Sequence, residues 1–405
     1  MKKLFSSGNI CKIVGNAFET AGGLLSIIAA VFLCCGCKNA SRSGNEAAAM
    51  SKSFFDGGIL KYAEYLKMSG DTLRTVNEWE GKNPVTETFI LVPRDSVKIL
   101  AANPNAIPVP VKSCVCMSTS FLAYLDILGQ DGGVKALSGT QFVYNDHIRK
   151  LIKEGEILDI GAETSPNYEL IMSLKPDVVF AYGISGNDNT YIDKLRHLGL
   201  RVIPLNDYLE RTPLAKLEYI KMFGTLTGTR AAADSIFAAR EASYLKIKNE
   251  CAKSLADKHM PATRVLLNMP FKGVWYIPGG KNYTSNLIKD AGGDILGSDP
   301  DATTSSQVSF ETIYSFASRA DVWLHPNSVS TLAALAADNQ MYKNIPAFED
   351  GAVFNNTKRS TPGGGSDFWE TGAVEPQEIL QDLIQILHPD LAQPGRTLKY
   401  YIQLK

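Results

Sequence analysis

From Thr229 to Ala256 the chain runs without a glycine or a proline, rich in Ala, Glu, Lys and Arg. Ile236, Phe237, Tyr244 and Ile247 return on recurring faces of that stretch. As an α-helix rising ~1.5 Å per residue it spans roughly 42 Å, about the diameter of a domain. A rod of that length bridges two bodies. It is approached through Thr212-Pro213, a good N-cap followed by proline in the first turn, and through Leu214, Leu217, Ile220 and Phe223 at helical spacing.

On both sides of the rod, short apolar runs alternate with helical patterns. Val111–Met117 is a compact apolar run of the kind that forms a buried strand. Ser118 or Thr119 caps a helix over Phe121–Leu128, which Gly129 ends. Val134–Leu137, Ile157–Ile160, Asp177–Ala181 and Arg201–Pro204 read as further strands, with helices over Tyr168–Leu174 and Thr190–Leu198 between them. Beyond Pro261 the pattern resumes. Arg264–Met269, Asp321–His325 and Gly351–Phe354 are strands; Tyr283–Ala291, Ser309–Ser315 and Pro376–Leu387 are helices. Strand, helix and strand recurring every ~20–30 residues predict parallel βαβ units. The expected fold class is α/β: two Rossmann-like lobes, residues 94–211 and 259–405, joined by bridging helices over 212–258.

The N-terminus carries a different signal. Lys2 and Lys3 precede an apolar stretch from Leu24 to Cys35. At ~12 residues it is too short for the ~20 that span a bilayer and suits the h-region of a signal peptide. Gly36 before Cys37 resembles a lipobox, with Cys37 as the lipidated residue, although Cys34 stands where leucine is usual. Residues 1–37 are thus expected to be a signal peptide with lipobox. Residues 38–93 would form a polar tether and a small β-rich extension that includes Thr86–Val92. Cleavage before Cys37 would remove three of 41 basic and one of 42 acidic residues, leaving a net charge of −3. So balanced a surface gives no sign of a nucleic-acid partner. Cys114, Cys116 and Cys251 make no disulfide framework; Cys114 and Cys116 are read as small core residues on opposite faces of a strand.

Eight stretches, taken in order, resemble a known family. They are CVCMSTS at 114–120, GEILDIG at 155–161, NYELIMSLKPDVVFAYG at 167–183 and KLRHLGLRVIPL at 194–205. Further on come GTLTGTRAAADSIF at 224–237, WYIPGGKNYTSNLIKDAGGD at 275–294, VSFETIY at 308–314 and PGGGSDFWETGAVEPQEILQDLIQILHPDL at 362–391. Together they look like class III (cluster A) periplasmic substrate-binding proteins for iron–siderophore, haem and cobalamin, in the lipoprotein form found in Bacteroidetes-type bacteria. The resemblance implies a monomeric, exported, membrane-anchored protein. It would capture an iron complex, haem or cobalamin between its lobes and deliver it to an ABC permease and its ATPase. It also implies docking through an acidic residue on each lobe. Glu311 matches on the C-lobe, whereas the first N-lobe helix offers only Asp126, displaced along it.

Ligands of open α/β sheets sit at the carboxyl ends of strands. Phe142, Tyr144, Tyr182, Trp275, Tyr276, Phe368 and Trp369 fall at such places, several beside glycine-rich loops. Aromatic faces suit a flat macrocycle or a catecholate or hydroxamate ligand. Lys281, Arg359 and Arg149 are candidates to answer its negative charge. The alternative within the same fold is a bare zinc or manganese site, for which His147 and His325 are the candidate ligands. An enzyme, metal-dependent or otherwise, is the less favoured class. Gly279-Gly280-Lys281 and Gly363-Gly364-Gly365-Ser366 lack the order of a phosphate-binding loop, and neither a nucleophile elbow nor a zincin motif occurs.

Overall fold

The computed structural model describes residues 58–78, 83–162, 165–182 and 190–405. The stretches expected to form the signal peptide and tether, and Cys37 as the expected lipidation site, lie outside them. Among the described residues no helix is long and apolar enough to cross a membrane.

Strands β1 (Leu66–Ser69), β2 (Thr72–Asn77) and β3 (Val85–Pro93) form an antiparallel meander, and β4 (Ala106–Val109) adds to it in parallel. This is the β-rich extension, and buried carboxylates attach it. Glu218 accepts hydrogen bonds from the backbone N–H groups of Lys61, Tyr62 and Ala63 at 2.9, 2.7 and 3.0 Å. Glu210 takes those of Glu64 and Tyr65. An irregular segment entering a core must find acceptors for its N–H groups, and these two glutamates supply five.

The first lobe is built on β5 (Cys114–Cys116), β6 (Val134–Leu137), β7 (Leu158–Asp159), β8 (Val178–Tyr182) and β9 (Val202–Leu205). They are all parallel, in the spatial order β7-β6-β5-β8-β9. The winding reverses between β5 and β8, which opens a crevice at their carboxyl ends. Ser118 caps the helix Thr119–Ile127 there by accepting from Ser120 N. The placement of Cys114 and Cys116 on opposite faces is corrected here. Side chains two residues apart on a strand share a face: both thiols enter the main core while Val115 enters the other. Both remain free and buried, as does Cys251.

The long helix spans Arg230–Asp257. Its fully buried residues, Ala233, Phe237, Tyr244 and Cys251, make one stripe. The amino-terminal part packs on the helix Tyr219–Thr227, where a Cβ on Gly224 would stand 2.4 Å from that of Ala233. Further along it meets the second lobe: Tyr244 Oη donates to Asp290 at 2.8 Å, and Arg240 pairs with Glu375. A single rigid element thus carries both lobes.

The second lobe comprises β10 (Thr263–Leu267), β11 (Trp275–Ile277), β12 (Gly293–Ile295), β13 (Ser306–Val308), β14 (Val322–Leu324), β15 (Val353–Asn355) and β16 (Ile402–Gln403). Its sheet runs β12-β10-β14-β15-β16, with only β16 antiparallel, while β11 and β13 form a separate ribbon. The tail that brings in β16 is held by Asp382 of the helix Pro376–Leu387.

Candidate functional site

A cavity of about 450 Å³ lies between the lobes. From the first lobe it takes Ser118, Thr119 and Ser120 after β5, Tyr182 at the end of β8, and Asp207, Tyr208, Leu209 and Glu210 after β9. Lys216 adds to these from the helix Pro213–Leu217. From the second lobe come Asn282, Tyr283, Thr284, Thr303 and Trp369. Tyr182 and Tyr208 pack with ring centroids 4.7 Å apart, and Tyr283 faces Trp369 at 6.2 Å. Lys216 Nζ lies between the latter pair, 5.8 and 5.9 Å from their ring centres, and 3.4 Å from Asp207. Burial pushes the Tyr283 hydroxyl far above its ordinary pKa, so the wall is a neutral phenol at any working pH.

Of the residues expected from the sequence, Tyr182 and Trp369 line this cavity. Phe142, Tyr144 and Arg359 instead meet at a contact between the lobes. The Arg359 guanidinium sits 4.7 Å over the Tyr144 ring, and Asp367 pairs with it. Gly363 and Gly365 pass directly against the backbone of Gln141 and Phe142. Trp275 is buried within its own lobe, its Nε1 donating to Leu267 O at 2.8 Å. Tyr276 is half-exposed on β11, and Lys281 is paired with Asp301; neither lines the cavity. Arg149 is engaged by Asp146 on its own helix. Glu311 stands exposed in the first turn of Phe310–Ala317, with hydrogen bonding from Ser309 holding its carboxyl below the usual range.

The histidines do not converge. His325 is half-buried, stacked on Tyr401 with its Nε2 2.8 Å from that hydroxyl, and desolvation lowers its pKa to about 4. His147 lies 2.9 Å from Asp131, with Asp126 close enough for the three to surround a small cation; none of them lines the cavity.

Asp207, Lys216, Tyr208, Tyr283 and the Ser118–Ser120 turn were not singled out from the sequence. The rule that picked Tyr182, position just after a strand, applies equally to Asp207 and Tyr208 after β9. Aromatic side chains drew attention to the loops beside glycines; Gly363 and Gly365 let the lobes touch, whereas Gly279 and Gly280 pass against Ala302 and Pro300 of their own lobe.

The lobe contact contains a titratable group. Glu370 is almost fully buried and accepts from the backbone N–H groups of Tyr144 and Asn145 across the contact, at 2.8 and 2.9 Å. Desolvation outweighs these bonds and raises its pKa from 4.5 to about 7, as burial also does for Glu210. The folded protein therefore holds these protons more tightly than the unfolded chain does. Stability should rise as pH falls from about 8 through 7 toward the unfolded value near 4.5, and the gain should be absent above about 8. An increase of about 1–3 kcal/mol in urea unfolding between pH 8 and pH 5.5 is expected, and Glu370→Gln should flatten part of that slope.

Two α/β lobes with parallel sheets, joined by one long helix and enclosing a cavity between them, match the class III binding-protein fold. The comparisons agree: residues 116–359 match the periplasmic binding protein family, and the chain belongs to it. An uncharacterized lipoprotein of the archaeon Methanocaldococcus jannaschii is 29% identical over 372 residues, 85% of this chain and 86% of the relative. Among solved structures, a periplasmic binding protein from Veillonella parvula superposes with a TM-score of 0.55 at 17% identity, covering 79% of this chain and 99% of that one. A periplasmic heme binding protein from Pseudomonas aeruginosa gives 0.54 at 18%, covering 71% and 96%. The triscatecholate siderophore binding protein of Bacillus subtilis, complexed with ferri-bacillibactin, gives 0.52 at 18%, covering 70% and 94%. At these identities the structural likeness is one of fold.

Proposed function

We propose that this chain is the solute-binding lipoprotein of an ABC importer. It is exported and anchored through Cys37, and it captures a metal complex (an iron–siderophore, haem or cobalamin) in the cavity between its lobes. It then hands that ligand to a permease driven by its ATPase, acting as a monomer with Glu311 as one docking contact. The observation that carries the reading is the cavity itself. Its volume is in the range of small-molecule sites, and it is walled by Tyr182 and Tyr208 at the carboxyl ends of the parallel strands β8 and β9 and by Tyr283 and Trp369 of the second lobe. The anchor reading rests on the Gly36-Cys37 sequence and agrees with the lipoprotein name of the archaeal relative. With both lobes fixed to the helix Arg230–Asp257, ligand uptake requires only small hinge motion.

The test is titration of the full chain in detergent with ferric siderophores, haemin and cobalamin, followed by tryptophan fluorescence and visible absorbance. Saturable binding at micromolar concentration or below is expected for at least one. Trp369→Ala should weaken it by about thirtyfold, the scale of losing an aromatic anchor. Stoichiometric zinc uptake with no complex bound would replace this reading with the bare-ion one, and turnover of a complex would replace it with an enzyme.

A further inference from the structure

The charges around the cavity narrow the ligand, provided the proposed binding function holds. Among the described residues, two acidic side chains and one basic one line it: Asp207, Glu210 and Lys216. The Lys216 ammonium is answered inside the protein by Asp207, 3.4 Å away. Glu210 is spent on the backbone of Glu64 and Tyr65 and on the Tyr219 hydroxyl. Asp207 is different. It is 1% exposed and ion-paired with Lys216, yet beyond that pair neither of its carboxylate oxygens accepts a hydrogen bond from any described residue. Leaving a buried acceptor without a donor is costly, and the space it faces is the cavity.

Basic residues near the lining segments in sequence are also paired. Arg211 pairs with Glu64 at 3.3 Å, Lys281 with Asp301 at 2.8 Å, and Arg359 with Asp367. A polyanionic ligand needs cations that are not already neutralised, preferably bidentate ones. Here the described lining carries two acidic side chains, one of them paired with the ammonium, and no unpaired cation, among tyrosine and tryptophan faces that attract positive charge.

We propose that the cavity selects neutral or cationic metal complexes that bring a hydrogen-bond donor, and that Asp207 is the acceptor for that donor. Hydroxamate-type ferric complexes and corrinoids fit this class. Trianionic ferric triscatecholates and haem, with its two propionates, do not.

The experiment titrates the full chain with three ferric probes of graded charge: ferrioxamine B, monocationic through a pendant ammonium; ferrichrome, neutral; and ferric enterobactin, trianionic. The expected order is cationic or neutral tighter than trianionic by about tenfold or more. Asp207→Asn should weaken the cationic probe by about tenfold, the loss of one charge-assisted bond, and narrow the gap to the trianion. Should that variant fail to fold, the wild-type salt dependence decides, since screening must shrink the gap between cation and trianion. Tightest binding of the trianion would overturn the charge selection while leaving the transport reading standing. An unchanged gap in Asp207→Asn, or a wild-type gap indifferent to salt, would also overturn the role of Asp207. Binding of no complex, cobalamin included, would overturn both readings together.

Discussion

Replacing Asp382 with alanine is expected to lower the unfolding free energy by about 3–5 kcal/mol, the range for breaking a buried charge pair from one side. Asp382 is wholly buried on the helix Pro376–Leu387. One carboxylate oxygen accepts from Arg396 Nη1 at 2.7 Å and Lys399 N at 2.9 Å; the other accepts from Tyr400 N at 2.7 Å and Tyr401 N at 3.3 Å. Alanine would leave three backbone N–H groups and a guanidinium without this acceptor, in a place water does not reach. It would also loosen Tyr400 and Tyr401, two of the largest fully buried side chains, and with them β16. Urea unfolding measures the loss. Asp382→Asn, which keeps one acceptor oxygen, should fall between wild type and alanine. A loss below about 1 kcal/mol for alanine would mean that the tail is held by its apolar contacts alone.

The second large effect concerns ligand binding. Gly365 lies where the second lobe touches the first, and a Cβ built on it would stand 1.9 Å from the carbonyl oxygen of Phe142. Both sides of that contact are backbone, so no side chain can turn away. Gly365→Ala must push residues 361–366 off the turn at 140–145, and with them Glu370 and Trp369. Because the cavity draws its walls from both lobes, affinity for the bound complex should drop about tenfold or more. Stability should fall by about 1–3 kcal/mol, as in other overpacked sites. Gly132→Ala is the control: its Cβ would meet nothing within 4 Å, and its φ is not in the left-handed region. It should leave both quantities unchanged. An unaltered affinity in Gly365→Ala would show that the lobe contact does not shape the site.

Much of the architecture was legible because its signals are local. The long helix was expected over Thr229–Ala256 and runs Arg230–Asp257. Tyr168–Leu174, Val134–Leu137 and Pro376–Leu387 fall where their caps and breakers put them. Elements whose reason is a distant partner were not legible. Strand β4 contains Pro108 and pairs only because β3 lies beside it. The β11–β13 ribbon joins segments about thirty residues apart that read as loop.

The same division runs through the site. Sequence alone determined that the chain has two α/β lobes on one rod and that Tyr182 and Trp369, which line the cavity, are candidates, since periodicity, capping and turn chemistry act within a few residues. Tertiary structure decided which charged groups are already satisfied. Glu370 reaches Tyr144, Glu218 reaches Lys61 and Asp382 reaches the tail, each through backbone N–H groups that carry no mark in the sequence. It also decided that Lys281 and Arg359 are paired with neighbouring carboxylates, while Asp207 lines the cavity, ion-paired with Lys216 but accepting no hydrogen bond from a described residue. Hydrogen-bond satisfaction and desolvation depend on what folding brings within about 3 Å, and no local pattern along the chain encodes that distance.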